Sequence, residues 1–433
     1  MVKKILLTPF QKFARLGSLS GMLLFGTTIA ALIWANSPYG HYYESLRHLE
    51  TGISFHNFEL KKPLILWIND GLMAIFFFLI GLELKRELLT GEINTLKKAA
   101  FPLMAALGGI VIPITLYLLL NKNPETAKGW GIPMATDIAF ALAILSLLGK
   151  RVPVSIKIFL TAFAIIDDIA AVLVIAVFYS TSINWLFILY ALIIIAGLAL
   201  LYNKYKYSRE VGIVLGIVTW FLFLKSGIHP TIAGVLLAFT IPLRRKIDTK
   251  SFLKHLSVIS DNILKTSEKN KNRGFLDKKE MKYIDNLDDL SCAVRSPLQH
   301  LEYKLHNWSA YFILPVFALF NAGVVISSDY NFDFSLITNI IISLPVGKFI
   351  GVALFSYISI KLKIADLPSG VNFKQILGVA AVAGVGFTMS IFIANLGFQD
   401  GIVSINSAKV GIILGSLIAG ISGYLILRFS AKK

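Results

Sequence analysis

Four aspartates and one lysine lie well inside long apolar segments of this 433-residue chain: Asp70, Asp137, Asp167, Asp168 and Lys348. Because an ionisable group at bilayer depth costs several kcal/mol, its presence there predicts a functional role. Asp167 and Asp168 are the most informative. Adjacent carboxylates repel, so each keeps its proton unless a cation or a positive side chain lies close. The pair predicts oxygens for which protons and a hard cation compete; a pair satisfied by internal hydrogen bonds is the alternative.

Two of the apolar segments look interrupted. One contains Pro133 and then Asp137, and the other contains Gly384 and Gly386. Backbone that leaves the helix at membrane depth must line a cavity or be buried in protein. The broken ends expose helix dipoles, which a carboxylate such as Asp137 offsets at two facing N-termini and an ammonium such as Lys348 offsets at two facing C-termini. Close helix packing remains the alternative reading of the two glycines.

The composition requires a membrane environment for most of the chain. Hydrophobic residues make up 56% and charged residues 15%, with a mean hydropathy of +0.71. In soluble domains, hydrophobic residues make up roughly 45–50% and charged residues about 25%. The single cysteine, Cys292, excludes a disulfide scaffold. We therefore predict an all-α polytopic membrane protein, a single transmembrane domain over residues 1–433.

About twelve segments are long and apolar enough to cross a bilayer, which takes roughly 20 residues each. The least certain boundary is the short connection Ser226–Gly227 between the seventh and eighth segments. The third to fifth and tenth to twelfth segments each have the interrupted helix second, which is typical of inverted repeats with crossing broken helices in a transporter. The predicted segments are 17–35, 64–84, 99–120, 128–148, 153–179, 184–202, 210–225, 228–243, 308–327, 335–360, 374–397 and 405–428.

The basic residues explain the net charge of +17 without nucleic acid as a partner. With an even number of spans, 19 Lys and Arg fall in the termini and short connections on one side and 7 on the other. This bias places both termini in the cytoplasm. Residues 244–307 form an extended cytoplasmic loop with 14 basic and 9 acidic residues. We expect a solvated linker there; binding of anionic lipid headgroups by its basic run is the alternative.

Several ordered motifs resemble those of the bacterial NhaA-type sodium/proton antiporters, over nearly the whole chain. The fold that this resemblance implies is an inverted-repeat transporter in the inner membrane. The motifs are Trp67–Asp70, Gly81–Glu87, Ala135–Ala141, Ala164–Asp168, Lys225–His229, Asn321–Val324, Gly347-Lys348 and Gly386–Phe392.

The resemblance implies a role for each residue of the intramembrane site. Asp168 is expected to be the main cation ligand and proton carrier, reached through a cytoplasmic funnel. Asp167 is expected to be the second carboxylate and to exchange partners with Lys348 during gating. Thr136 is expected to lend an oxygen to the ion, and Asp137 to offset the helix dipoles. No cofactor is implied.

The resemblance also implies pH regulation through Glu83, Glu87, His229 and Glu302. Glu83 and Glu87 are four residues apart on one helical face, so they are well placed to form an acidic lip; pairing with neighbouring basic residues is the alternative. His229 titrates near neutral pH, which suits a sensor, although a hydrogen-bonded histidine in a turn is equally ordinary. The segment Ile53–Leu60 corresponds to a hairpin that joins two protomers, so a homodimer is implied.

Together, the intramembrane residues and the family resemblance imply an electrogenic, pH-regulated Na+/H+ antiporter, with Li+ as a further substrate, that works by alternating access and is not an enzyme. A cation channel is the first alternative, but nothing in the chain resembles a filter of oxygens. An intramembrane aspartyl protease is the second; it needs aspartates on different helices, and the obvious pair here is adjacent. A nucleotide-binding P-loop, which a primary pump needs, is not present in the sequence.

Overall fold

A computed structural model shows a protein built mainly of helices. Among the residues that the structure describes, six helices are long and apolar enough to cross a membrane, and three further helix pairs pass the same test but are bent at a short break. The predicted polytopic membrane protein is therefore confirmed, whereas the number of twelve crossings stays a prediction. The structure describes residues 9–55, 58–91, 95–180, 182–204, 207–244, 247–269, 278–294, 296–326, 331–399 and 401–430.

The first half of the chain supplies the segments predicted as spans one to eight. A π-helical turn, Ile68–Leu72, joins α3 to α4, and a 3-10 helix, Thr126–Met134, precedes α6. The α-helices are α1 (Pro9–Ala35), α2 (Gly40–Arg47), α3 (Leu64–Trp67), α4 (Met73–Thr90), α5 (Leu96–Leu120), α6 (Ile138–Leu147), α7 (Val154–Phe178), α8 (Trp185–Lys204), α9 (Arg209–Ser226) and α10 (Thr231–Thr240).

The uncertain boundary between α9 and α10 is confirmed. Gly227 has φ +83°, a left-handed conformation that glycine adopts without a steric penalty, and it ends α9.

The second half contains a second π-helical turn, Ser309–Ile313, which joins α13 to α14. Ser296 caps the start of α13, where its hydroxyl accepts the Gln299 N–H at 3.2 Å. The α-helices are α11 (Thr249–Lys269), α12 (Lys278–Val294), α13 (Pro297–Trp308), α14 (Leu314–Asn321), α15 (Phe334–Ser343), α16 (Pro345–Lys361), α17 (Phe373–Val382), α18 (Phe387–Gly397) and α19 (Ile402–Ser430).

Two features depart from the predicted architecture. An antiparallel hairpin, β1 (Glu50–Phe55) with β2 (Phe58–Pro63), pairs Gly52 with Lys61. The fold is thus not purely α-helical, although the family resemblance implied this hairpin. The loop 244–307, expected to be a solvated linker, contains α11 and α12. Its apolar residues are too few for a separate core, but their helical spacing is sufficient for two amphipathic helices.

Both predicted helix interruptions are confirmed. The 3-10 helix Thr126–Met134 and α6 are bent by 42° at their break, and α17 and α18 are bent by 44°. The close-packing reading of the glycines also holds in part, because a Cβ on Gly386 would lie 2.9 Å from the carbonyl oxygen of Ala135. The two breaks therefore touch, and glycine is what permits the contact.

Glycines also bring α5 and α16 into backbone contact. A Cβ on Gly351 would lie 2.1 Å from the carbonyl oxygen of Gly108, and one on Gly347 would lie 2.6 Å from the Cα of Pro113. This is the small-residue packing that the Gly347–Gly351 spacing predicts. It fixes the backbone of α16 immediately beside Lys348.

The contact between α5 and α16 gives a direct stability test. We expect Gly351→Ala to lower the free energy of unfolding by about 1–3 kcal/mol, because the added methyl group meets backbone that cannot move aside cheaply. Gly197→Ala in α8 is the matched control, since a Cβ there meets nothing within 4 Å. Thermal unfolding of both variants in the same detergent measures the difference, and equal midpoints would contradict the packing described.

Candidate functional site

The two interrupted helices cross at their breaks, and hydrogen bonds join them there. The Thr136 hydroxyl donates to the carbonyl of Ala383 at 2.8 Å, and the Asp137 N–H donates to the carbonyl of Val385 at 2.7 Å. Each break thus supplies polar partners for the other. Buried backbone groups that have left a helix need such partners, because an unpaired one costs about as much as a lost hydrogen bond.

The Asp137 carboxylate binds the first turn of both half-helices. Its Oδ1 accepts the N–H of Phe140 in α6 at 3.0 Å, and its Oδ2 accepts the N–H of Thr388 in α18 at 3.1 Å. The Thr388 hydroxyl donates to the same Oδ2. One buried negative charge therefore faces two helix N-termini, which carry partial positive charge. This is the geometry that the sequence predicts for Asp137; its effect on activity stays a prediction.

Asp167 is held by Lys348 in a buried ion pair. The Lys348 ammonium donates to both carboxylate oxygens, at 2.9 and 2.7 Å, and neither side chain is exposed. Thr136 lies beside the same carboxylate. Within the described residues, the hydrogen bonds of the Lys348 ammonium go to Asp167. Its predicted effect on two helix C-termini stays a prediction. The Asp167–Lys348 pairing matches the partner that the resemblance implies.

Asp168 is buried beside this pair and is less well satisfied. Its Oδ2 has no hydrogen-bond partner among the residues that the structure describes. The charges closest to it are mostly negative, from Asp167, Asp137 and Glu83, with Lys348 as the opposing cation. A buried carboxylate oxygen without a partner is costly unless a proton or a cation supplies one. A proton or a cation at this oxygen of Asp168 would remove that cost.

A second charged cluster lies at the C-terminal end of α4. It joins Glu83, Arg86 and Glu87 of α4 to Glu302 and His306 of α13. Arg86 pairs with Glu87 at 2.6 Å and with Glu302, and the His306 Nδ1 lies 3.7 Å from a Glu83 oxygen. The structure thus brings together three of the four residues predicted for pH regulation. The predicted acidic lip and its predicted pairing with neighbouring basic residues coexist.

The pKa values of two groups in this cluster are raised above their ordinary values. Burial raises the pKa of Glu302 to about 7, although the Arg86 charge opposes the rise. The Glu83 carboxylate, 3.7 Å away, raises the pKa of His306 above its ordinary value, against the effect of burial. Both residues precede the predicted ninth span, 308–327. As the pH rises through about 7, Glu302 gains a negative charge. His306 keeps its proton to a higher pH than a free imidazole does.

His229 lies elsewhere, in a cluster with Asp70 and Lys62. The His229 Nε2 is 3.5 Å from one Asp70 oxygen, and the Lys62 ammonium donates to the other at 3.0 Å. The imidazole Nδ1 is 2.9 Å from the Thr231 hydroxyl. The charges acting on His229 are those of Asp70 and Lys62, not of the Glu302 cluster. The structure therefore separates His229 from the other residues predicted for pH regulation and gives Asp70 its partners.

Sequence reasoning missed an asparagine network. The Asn321 amide donates to Asn69 at 2.9 Å, and its oxygen accepts from Asn395 at 2.7 Å and from Asn69 at 3.3 Å. The three residues come from distant segments, so no local pattern indicates that they meet. His306 was also missed, although its spacing of four residues from Glu302 on one helix was a usable signal.

Buried carboxylates beside two crossed, interrupted helices, in a polytopic membrane protein, define the architecture of a secondary ion transporter. Comparison with known proteins makes the class specific. The chain matches the family model described as "Na+/H+ antiporter 1" over residues 11–427. It belongs to this family, the NhaA Na+/H+ antiporters, which are secondary transporters and not enzymes.

Individual relatives match along almost their whole length. The chain is 42% identical to the Na+/H+ antiporter NhaA 1 of Saccharophagus degradans, covering 98% of this chain and 91% of that protein. It is 44% identical to the Na+/H+ antiporter NhaA of Oleidesulfovibrio alaskensis, covering 98% and 94%. It is 43% identical to the NhaA of Wolinella succinogenes, covering 96% and 93%. The family resemblance carried by the sequence motifs is confirmed.

The Asp137–Thr388 contact gives a prediction for the crossing. We expect Thr388→Val to lower the free energy of unfolding by about 1–3 kcal/mol, because it leaves the buried Asp137 carboxylate without its hydroxyl donor. Thr388→Ser keeps the hydroxyl and should stay much closer to the wild-type protein. Thermal unfolding in detergent compares the three proteins. A loss with Ser but not with Val would show that the methyl group, rather than the hydrogen bond, matters.

Proposed function

We propose that the protein exports Na+, and also Li+, in electrogenic exchange for protons, with Asp168 and Asp167 as the shared binding groups. The observation that carries this proposal is the unequal state of the two carboxylates. Asp167 is neutralised by Lys348 at 2.7 Å, whereas Asp168 keeps a buried oxygen without a partner among the described residues. One acid is thus ready to receive an ion or a proton, and the other has a cation that an ion can replace.

The exchange follows from competition for oxygen. Na+ is a hard cation that must regain oxygen ligands for the waters it leaves, and the two carboxylates with the Thr136 hydroxyl supply them. When Na+ takes the oxygens of Asp167 and Asp168, Asp168 releases one proton, and the displaced Lys348 ammonium releases a second. When two protons return, one neutralises Asp168 and the other recharges Lys348, which pairs with Asp167 again. Protons and Na+ therefore exclude each other from one site, and no ATP is needed.

Electrogenicity follows if two protons enter for each Na+ that leaves. One net charge then crosses the membrane per cycle, which is worth about 2.3 kcal/mol per 100 mV of potential. The membrane potential thereby drives Na+ out.

Alternating access is supported by the way the site is built. The two half-helix pairs are joined at Asp137 and Thr136 and can move as one body past the surrounding helices. We assign twelve crossings with both termini in the cytoplasm of a bacterial inner membrane, and inverted repeats at spans three to five and ten to twelve. The β1–β2 hairpin is the surface through which we propose that two protomers associate.

The cluster around Arg86 is the proposed pH regulator. With Glu83, Glu87 and Arg86 charged, the cluster is neutral when Glu302 is protonated and His306 is charged. It carries two negative charges when both have lost their protons. Raising the pH through the Glu302 pKa of about 7 therefore makes this entrance more negative and more attractive to Na+. His229 contributes from its separate cluster with Asp70.

The central test uses Asp168→Asn in proteoliposomes. We expect Na+ to collapse a preset pH gradient in wild-type vesicles and to leave it intact with the variant, because an amide cannot bind a proton and Na+ alternately. Asp366→Asn, an exposed change of the same chemistry, is the matched control. Wild-type exchange by Asp168→Asn would overturn the proposal, and Na+ conductance without proton movement would favour a channel.

The pH regulator has its own test in Glu302→Gln. A permanently neutral side chain removes the charge gained above pH 7, so we expect the rise in exchange activity to shift to more alkaline pH. Na+-dependent proton flux measured from about pH 6.5 to about pH 8.5 gives the profile. Glu125→Gln, at an exposed site, should leave it in place. An unshifted Glu302→Gln profile would remove this residue from the regulator.

A further inference from the structure

The helices α11 and α12, inserted between the predicted eighth and ninth spans, pack against each other along one stripe of each. Neither makes more than marginal contact with any other helix in the described part of the chain. The stripe residues recur at intervals of four and three, which places them on one face of each helix. They are Phe252, Leu256, Ile259 and Ile263 on α11, and Tyr283, Leu287, Leu290 and Val294 on α12, all half-buried.

A second set of apolar side chains is exposed. Leu253 and Leu264 of α11 are 58% and 59% exposed, and Met281 and Ile284 of α12 are 54% and 41% exposed. We call these four residues the exposed apolar face.

The members of the exposed apolar face project to the same side of the helix pair. Leu253, Leu264 and Ile284 each follow a stripe residue directly, so they lie about 100° around the helix from the stripe. Met281 is three residues before Ile284 and lies on the same flank. Only eight residues connect α11 to α12, so the two packed helices run antiparallel. In an antiparallel pair, side chains at equal angles from the stripe of each helix point to the same side. The opposite side carries mainly polar residues, His255 and Asn262 on α11 and Lys282 and Asn286 on α12, together with the 54% exposed Val258 of α11.

The chain keeps this face near a membrane surface. α10 ends at Thr240, only eight residues before α11, and α13 begins two residues after α12 and continues into the next predicted span. Residues 244–307 contain 14 basic and 9 acidic residues, an excess that favours anionic phospholipid. Four partly exposed side chains offer on the order of a few hundred Å², well below the roughly 800 Å² per partner of a stable protein complex. The small area of the face, the excess of basic residues and the short connections to α10 and α13 all favour a bilayer over a protein as its binding partner.

We propose that the α11–α12 pair lies on the adjacent membrane surface, with the exposed apolar face at the boundary between headgroups and acyl chains and its lysines attracted to anionic phospholipid. Amphipathic helices of this kind lie in the plane of the interface. The proposal does not depend on the transport mechanism. It assigns a lipid-binding surface to the long inserted loop, whose exposed apolar side chains are not buried by any other part of the described chain.

The test is spin labelling of the full-length protein in nanodiscs. After Cys292→Ser, single cysteines are introduced by Leu253→Cys, Leu264→Cys and Ile284→Cys, with His255→Cys and Asn286→Cys as matched controls on the opposite side. Collision with oxygen, which partitions into lipid, is compared with collision with a water-soluble nickel chelate. In discs with about one third phosphatidylglycerol we expect a several-fold higher oxygen-to-nickel ratio at the three face positions than at the controls.

Each other outcome overturns the proposal in a recognisable way. Equal ratios on the two sides mean that the pair stands in water. Low collision with both reagents at the face means that protein covers it. A short distance between like labels of two protomers identifies a second copy as that cover. If discs of phosphatidylcholine alone give the same contrast, the role of anionic lipid is wrong. Leu253→Gln with Leu264→Gln should reduce the contrast read at Ile284→Cys, whereas Ser251→Gln should not.

Discussion

A single carboxylate, that of Asp137, binds the starts of two helices that begin in the middle of the protein. The N–H groups of Phe140 and Thr388 each need an acceptor where no water is at hand, and each finds one oxygen of Asp137, at 3.0 and 3.1 Å. The backbone N–H of Asp137 also joins the two interrupted helices, because it donates to the carbonyl of Val385. Without this acceptor, neither interruption could persist at that depth, and the neighbouring acids would lose the scaffold that positions them.

The charged groups of the candidate site form three clusters in the described part of the chain. Next to the crossing, the Lys348 ammonium neutralises Asp167 and leaves Asp168 the less satisfied of the two acids. Two further charged clusters lie away from the crossing, one centred on Arg86 and the other on Asp70. Glu83 of the Arg86 cluster is also among the charges that act on Asp168, so this cluster and the buried acids are electrostatically connected.

The sequence predicts the helices of this protein better than it predicts which residues of distant helices contact each other. Apolar runs, the Pro133 and Gly384–Gly386 breaks and the position of Asp137 are local, so the helices and their interruptions could be foreseen. The contact of His229 with Asp70 could not, nor could the one between Asn321 and Asn395. Such contacts depend on the rotation and tilt of helices that are far apart in the chain, and the length of a hydrophobic segment does not determine either. The helices of the long loop were missed because low hydrophobicity was given more weight than spacing.

The backbone contact between α5 and α16 restricts how the Asp167–Lys348 pair can separate. Gly347 and Gly351 lie against Pro113 and Gly108 with no room for a methyl group, so the peptide that carries Lys348 cannot slide along α5. Separation therefore has to come from rotation about the bonds of the lysine side chain or from displacement of α7. Because the backbone of Lys348 is fixed, the length of its four-carbon side chain sets the greatest distance from which the ammonium can return to the Asp167 carboxylate.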